Sequence, residues 1–154
     1  MESLSTFWLS FILFILIIAS AFFSASETSM MALNRYRLKA LSAKNNVQAK
    51  RVEKLLNKID YLIGGILLGN NFVNILAASI ATLLSIKLWG EGSVIIASLV
   101  LTLVILIFAE NTPKTFAAKN PEKIALPASW LLEILIKIFK PLIYLISVIS
   151  KFIL

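Results

Sequence analysis

Three long uncharged stretches dominate the pattern of hydrophobic and polar residues along the chain. They cover residues 3–26, 61–86 and 92–109, and the first resumes beyond Glu27 as far as residue 33. A helix of about 20 apolar residues crosses the hydrocarbon core of a bilayer. The pattern therefore predicts an all-α integral membrane protein with three transmembrane helices per subunit, at about residues 3–33, 61–86 and 92–112. Because only an acidic residue precedes the first stretch, we expect an uncleaved span there and not a signal peptide.

The connection between the first two spans places apolar residues at helical intervals among basic ones. The apolar positions are Leu38, Leu41, Val47, Val52, Leu55, Leu56 and Ile59. Asn45 and Asn46 interrupt them and are typical of a turn. Basic amphipathic helices lie on a membrane surface and do not cross it. Residues 34–59 are thus predicted to form a helical pair, a juxtamembrane belt.

The segment after the third span, residues 121–154, has two interpretations. As a fourth span it would bury Glu133, Lys137 and Lys140, with Pro141 beside them. As helices in the interfacial plane, interrupted at Pro141, it would keep those charges near water, and Glu133 and Lys137 would pair four residues apart. We favour the interfacial helices and keep the fourth span as the alternative.

Composition and charge narrow the class of protein. The chain has 154 residues, 59% of them hydrophobic, and a mean hydropathy of +0.90, which indicates a single membrane domain. It has no cysteine and no histidine, which excludes disulfides, thiol redox chemistry and histidine acid–base chemistry. We find no nucleophile–base pair of the kind that an enzyme needs, so we expect no enzymatic activity.

The net charge of +7 is concentrated in the connection between the first two spans. Basic residues accumulate on the cytoplasmic side of membrane proteins. The belt is therefore predicted to be cytoplasmic, with the N-terminus outside and the C-terminus inside. We interpret the basic residues as contacts to anionic lipid and not as a nucleic-acid site.

Polar residues near the cytoplasmic ends of the spans are the candidate ligands of an ion site. The first span ends in a serine cluster that includes Ser24, the second carries Asn70 and Asn74 on one face, and Glu110 follows the third. Pro113 has no N–H, so it would leave the carbonyl of Ala109 without its helical donor. The asparagines alone are typical of hydrogen bonds between helices. Together, the clusters supply only oxygen ligands, which suit Mg²⁺, Ca²⁺ or Na⁺. Lys114 is a candidate partner for Glu27.

Three motifs, FSASE at 23–27, GNNFVN at 69–74 and ENTPK at 110–114, resemble the membrane domain of the CorB/CorC and cyclin-M (CNNM) magnesium transporters. The resemblance covers nearly the whole chain and implies a homodimer with an intramembrane Mg²⁺ site. The ligands that it implies here are Ser24, Asn70, Asn74, Glu110 and the backbone oxygen of Ala109, where the family usually has glycine. Family members continue into cytoplasmic CBS domains, which residues 1–154 do not include.

The function that the resemblance implies is Mg²⁺ export across the plasma (inner) membrane, with Na⁺ as the candidate coupling ion. Two alternatives remain open on the residues alone. One is a Mg²⁺ channel that uses the same site. The other is a non-transporting membrane scaffold that senses Mg²⁺ for a cytoplasmic regulatory module.

Overall fold

A computed structural model describes residues 5–154, which are almost entirely helical and contain no strand. The helices are α1 (Thr6–Ala32), α2 (Arg35–Ala43), α3 (Val47–Leu56), α4 (Ile59–Trp89), α5 (Val94–Val104), α6 (Thr112–Lys119) and α7 (Pro121–Ile153). A 3-10 turn (Glu91–Ser93) precedes α5, and a π-helical segment (Ile105–Asn111) joins α5 to α6. Residues 3 and 4 of the predicted first span lie outside the described residues.

Three helical stretches are long and apolar enough to cross a membrane. They are Thr6–Ala32, Ile59–Trp89 and Glu91–Lys119. The predicted class, an all-α membrane protein with three spans, is confirmed. Helix α7 is not among these stretches in the described part of the chain.

The third span continues further than the pattern of charges suggested. We expected it to end near residue 112, but helical structure extends through Pro113 to Lys119. The π-helical segment precedes the proline, and its wider turns relieve the clash that a proline ring makes with the preceding turn of an α-helix. Pro113 lies in the first turn of α6, where a missing N–H costs least.

Two short helices, α2 and α3, occupy the predicted belt. Asn45 between them has a positive φ of 62°, a conformation that asparagine adopts more readily than most residues. Each helix begins with an asparagine cap: the side chain of Asn34 accepts hydrogen bonds from the N–H groups of Tyr36 and Arg37, and that of Asn46 from Ala49. Leu38, Val52, Leu55 and Leu56 of the two helices pack into the core, whereas most of their basic residues are exposed.

Helix α7 is one helix with Pro127 and Pro141 inside it, so the expected interruption at Pro141 is absent. Both prolines are exposed, and each removes one helical hydrogen bond. Packing offsets this loss, because buried side chains before and after Pro141 hold the helix against α1, α3 and α4; they are Ala125, Ala128, Ser129, Leu132 and Ile143. Glu133 pairs with Lys137 at 3.3 Å, and also with Arg51 of α3 at 3.5 Å.

Helix α1 lies at the centre of the molecule and contacts α4, the π-helical segment, α6 and α7. The ring of Phe23 in α1 covers Gly69 of α4. A Cβ atom at residue 69 would lie 2.5 Å from Cζ and 2.6 Å from Cε1 of that ring. A side chain at residue 69 would therefore displace the aromatic ring, and glycine leaves room for it. The same contact fixes the spacing of the two helices that carry most of the predicted ligands.

We predict that Gly69→Ala destabilises the protein by about 1–3 kcal/mol, because the added methyl group pushes α1 away from α4. The measurement is the melting temperature in detergent. Gly92→Ala is the matched control, since nothing lies within 4 Å of a Cβ added there. Shortening the ring with Phe23→Val should recover part of the loss in the Gly69→Ala background. Equal melting temperatures for the Gly69 and Gly92 variants would contradict this account of the contact.

Candidate ion site

Ser20 of α1 joins the two predicted asparagine ligands of α4. Its Oγ lies 2.6 Å from Oδ1 of Asn74 and 3.1 Å from Oδ1 of Asn70. A hydroxyl group has one proton, so it donates fully to only one of these two acceptors. Three oxygen atoms therefore converge with a single hydrogen between them. Such a surplus of acceptors is favourable for a cation.

Sequence reasoning missed Ser20, although a signal was available. Ser20 precedes Ser24 by four residues, which places both on the same face of α1. A single serine in an apolar helix is common, and its hydroxyl usually bonds to its own helix. The importance of Ser20 follows from the register of α1 against α4, which the sequence does not display.

Two buried serine hydroxyls, those of Ser24 and Ser26, have no hydrogen-bond partner among residues 5–154. Their residues are 1% and 0% exposed. Leaving a buried polar group unpaired costs about 1–3 kcal/mol, so such an atom calls for an explanation. Ser29 lacks this feature, since it donates to the carbonyl of Ser26 at 3.0 Å. Ser24 lies one turn beyond Ser20, where its oxygen is suited to a ligand, whereas Ser26 points about 200° away around the helix.

Glu110 lies in the π-helical segment. The N–H of Thr112 donates to the carbonyl of Ile107, five residues earlier, which is the spacing of a π turn. Ala109 is completely buried beside Glu110. The side chain of Glu110 is 24% exposed, and its Oε2 lies 3.3 Å from Nζ of Lys114. The partner of Lys114 is thus Glu110, and not Glu27 as the sequence suggested.

A cavity of about 270 Å³ between α4 and α5 brings Asn74 and Glu110 together. Hydroxyl residues that sequence reasoning missed also line it: Thr82, Ser98 and Thr102. Each hydroxyl donates to a carbonyl of its own helix, at 2.7–2.8 Å, and keeps its lone pairs. From Asn74 to Thr82 the cavity follows α4 for about 12 Å, at 1.5 Å per residue. It therefore extends from Glu110 towards the turn between α4 and α5.

The predicted ligands thus fall into connected groups. Asn70 and Asn74 share the hydroxyl of Ser20, Asn74 shares the cavity with Glu110, and Ser24 follows Ser20 by one turn. Within residues 5–154, no three acidic, histidine or cysteine side chains form a group that could hold a metal. Glu110 is the carboxylate of this cavity, and its other polar groups are neutral. A site of this composition is suited to a hard cation that binds weakly.

The chain is similar over most of its length to one protein family and to several known proteins. Residues 11–154 match the model of the cyclin M transmembrane N-terminal domain. The chain is 52% identical over 132 residues to the UPF0053 inner membrane protein YfjD of Escherichia coli, covering 86% of this chain and 31% of that protein. It is 46% identical over 151 residues to a UPF0053 protein of Haemophilus influenzae, covering 98% of this chain and 36% of that protein.

A more distant relative has a functional name. The chain is 30% identical over 151 residues to the polyamine export protein of Salmonella typhimurium, covering 89% of this chain and 34% of that protein. The chain therefore spans about a third of the length of each of these relatives. The matched domain and the three spans agree, and the chain belongs to the cyclin M (CNNM) transmembrane-domain family.

Proposed function

We propose that the chain transports Mg²⁺ across the inner membrane through the site between α1, α4 and the π-helical segment. The family is linked to magnesium and cobalt transport, and its members are known as transporters and not as enzymes. The observation that carries the proposal is the cavity that Asn74 and Glu110 share, next to the convergent oxygens of Ser20, Asn70 and Asn74. Ser24 and the carbonyl of Ala109 complete the proposed ligand set.

The low negative charge of the site favours weak, reversible binding of an ion over permanent binding. Mg²⁺ releases its water reluctantly and is usually bound by one or two carboxylates. One carboxylate with neutral oxygens binds it weakly enough to release it again. Lys114 weakens ion binding further, because its ammonium group is paired with the Glu110 carboxylate that the ion would bind. We propose that the ion leaves along the cavity towards the α4–α5 turn, with export coupled to Na⁺ entry, and that the functional unit is a homodimer.

A second candidate is polyamine export. The Salmonella relative named for that activity is 30% identical, and the cavity beside Glu110 has mainly apolar walls. A polyamine would place its methylene groups along those walls and an ammonium group on the carboxylate. Binding measurements with spermidine beside Mg²⁺ separate the two candidates.

We predict that Glu110→Gln weakens Mg²⁺ binding by about a hundredfold, because the site then loses the one negative charge that attracts the ion. Isothermal titration calorimetry in detergent measures this loss. Lys114→Gln should act in the opposite direction and strengthen binding, since it removes the competing cation. Glu122→Gln is the control, because Glu122 is also ion-paired, to Arg37 at 2.6 Å, but does not line the cavity.

The same variants in proteoliposomes connect binding to transport. Mg²⁺ flux that is lost in Glu110→Gln and kept in Glu122→Gln is the expected result. Binding without flux in the wild type would favour a sensor over a transporter. Wild-type Mg²⁺ affinity in Glu110→Gln would refute the assignment of the charge. Saturable binding of spermidine together with no binding of Mg²⁺ would replace magnesium with a polyamine as the substrate.

We predict that Asn70→Ala, Asn74→Ala, Ser20→Ala and Ser24→Ala each lose most of the stabilisation that Mg²⁺ gives the folded protein. For the wild type this amounts to about 2.7 kcal/mol at a hundred times Kd. Melting temperatures over a Mg²⁺ series measure it. Asn71→Ala is the matched control, since Asn71 is exposed and is neither bonded to Ser20 nor part of the cavity lining. If the four variants kept the full Mg²⁺-dependent shift, these residues would only pack the helices.

We also propose that the belt and Leu154 face the cytoplasm and the α4–α5 turn faces outward. Because the chain has no cysteine, single cysteines at Asn45, Gly92 and Leu154 can be tested without background. An impermeant thiol reagent on intact cells should label only Gly92→Cys. Labelling of Asn45→Cys would show that the topology is the reverse of the one proposed. Labelling of both single variants, Gly92→Cys and Leu154→Cys, would show that α7 crosses the membrane.

A further inference from the structure

A second cavity, of about 540 Å³, lies between the start of α4, the end of α3 and the middle of α7. The residues that line it are Lys54, Leu55, Asn57, Lys58, Tyr61, Leu62, Glu133, Ile136, Lys137 and Lys140. Its walls are mainly apolar, and its charged groups are four lysines and one glutamate. None of its residues belongs to the candidate ion site.

The glutamate of this cavity, Glu133, is already neutralised. It is paired with Arg51 at 3.5 Å and with Lys137 at 3.3 Å. Lys54, Lys58 and Lys140 are exposed, and they add positive charge that Glu133 does not balance. A ligand of this cavity should therefore carry negative charge on an apolar body.

The position of the cavity in the fold further limits the kind of ligand that it could bind. It lies where α4 begins, and α4 is a helix long and apolar enough to span a membrane, so the cavity lies at a membrane–water boundary. Lys58 occupies the N-cap position of α4 and gives the helix no side-chain cap. The positive end of the helix dipole at this position adds to the lysine charges, although Asp60 in the first turn opposes it in part.

We propose that this cavity is a binding site for an anionic phospholipid, such as phosphatidylglycerol. The phosphate would lie among Lys54, Lys58 and Lys140, and the upper part of an acyl chain would lie against Leu55, Leu62 and Ile136. Tyr61 lies at the boundary, a position that tyrosine favours because its ring is apolar and its hydroxyl polar. A bound lipid would fasten α3 and α7 to the start of α4, and would thus tie the belt to the second span.

This inference does not depend on the ion that the protein transports. Its test uses the purified chain in detergent, with melting temperature and lipid retention in native mass spectrometry as readouts. Phosphatidylglycerol should raise the melting temperature, and phosphatidylcholine with the same acyl chains should not. The triple variant Lys54→Gln, Lys58→Gln, Lys140→Gln should bind phosphatidylglycerol at least about tenfold more weakly, because it removes three positive charges beside the phosphate.

The matched control removes the same charge from another part of the belt. Arg35, Lys39 and Lys44 are exposed and do not line the cavity, so changing all three to glutamine should leave lipid affinity within about twofold of the wild type. A triple variant with arginine at residues 54, 58 and 140 keeps the charge and should keep the affinity. This variant separates lost charge from lost folding.

Three results would overturn the proposal. Equal stabilisation by phosphatidylcholine would remove the requirement for negative charge. Equal losses in the two triple glutamine variants would reduce the effect to the overall charge of the belt. Equal stabilisation by inorganic phosphate or glycerol 3-phosphate would show an anion site that does not recognise a lipid.

Discussion

The contact of α1 with α4 at Gly69 is the constraint on which the rest of the site depends. The ring of Phe23 occupies the place of a side chain there, one turn of α1 away from Ser20 and directly beside Asn70 of α4. Close to this contact, the short hydroxyl group of Ser20 reaches the side-chain oxygens of both Asn70 and Asn74. Apolar packing thus determines the polar geometry. This order is expected in a bilayer, where helices gain little from hydrophobic burial and associate through close packing.

The π-helical segment is the second determinant of the geometry. It inserts one extra residue per turn between α5 and α6, which rotates the side chains before it relative to those after it. Glu110 points into the cavity beside Asn74, while the fully buried Ala109 faces the protein interior. Leu101 and Ile105 of the apolar wall and Glu110, which supplies the charge of the cavity, lie in one span, before Pro113.

Much of the fold was predictable because the thickness of the bilayer sets the length that an apolar stretch needs to cross it. The lengths of the uncharged stretches gave the three spans, and the asparagine pair at 45 and 46 gave the turn of the belt. The spacing of Asn70 and Asn74 gave their common face. The rest depends on contacts between distant segments. Ser20 matters only through the register of α1 on α4, and α7 remains continuous through Pro141 only because its buried face is held by three other helices.

The proposed transport needs a site that selects its ion and yet releases it easily. Lys114 and the transported ion would compete for the carboxylate of Glu110. An ion entering the cavity must replace Lys114 at the carboxylate, and Lys114 can return when the ion leaves. The pair is partly exposed, at 24% and 42% for the two side chains, so its own stability is small and the exchange costs little. A fully buried pair would hold the carboxylate too tightly, whereas an unpaired carboxylate would bind the ion too well. In the proposed transport Lys114 would thus take the place of the ion at the carboxylate, and its i, i+4 position would keep it within reach of Glu110.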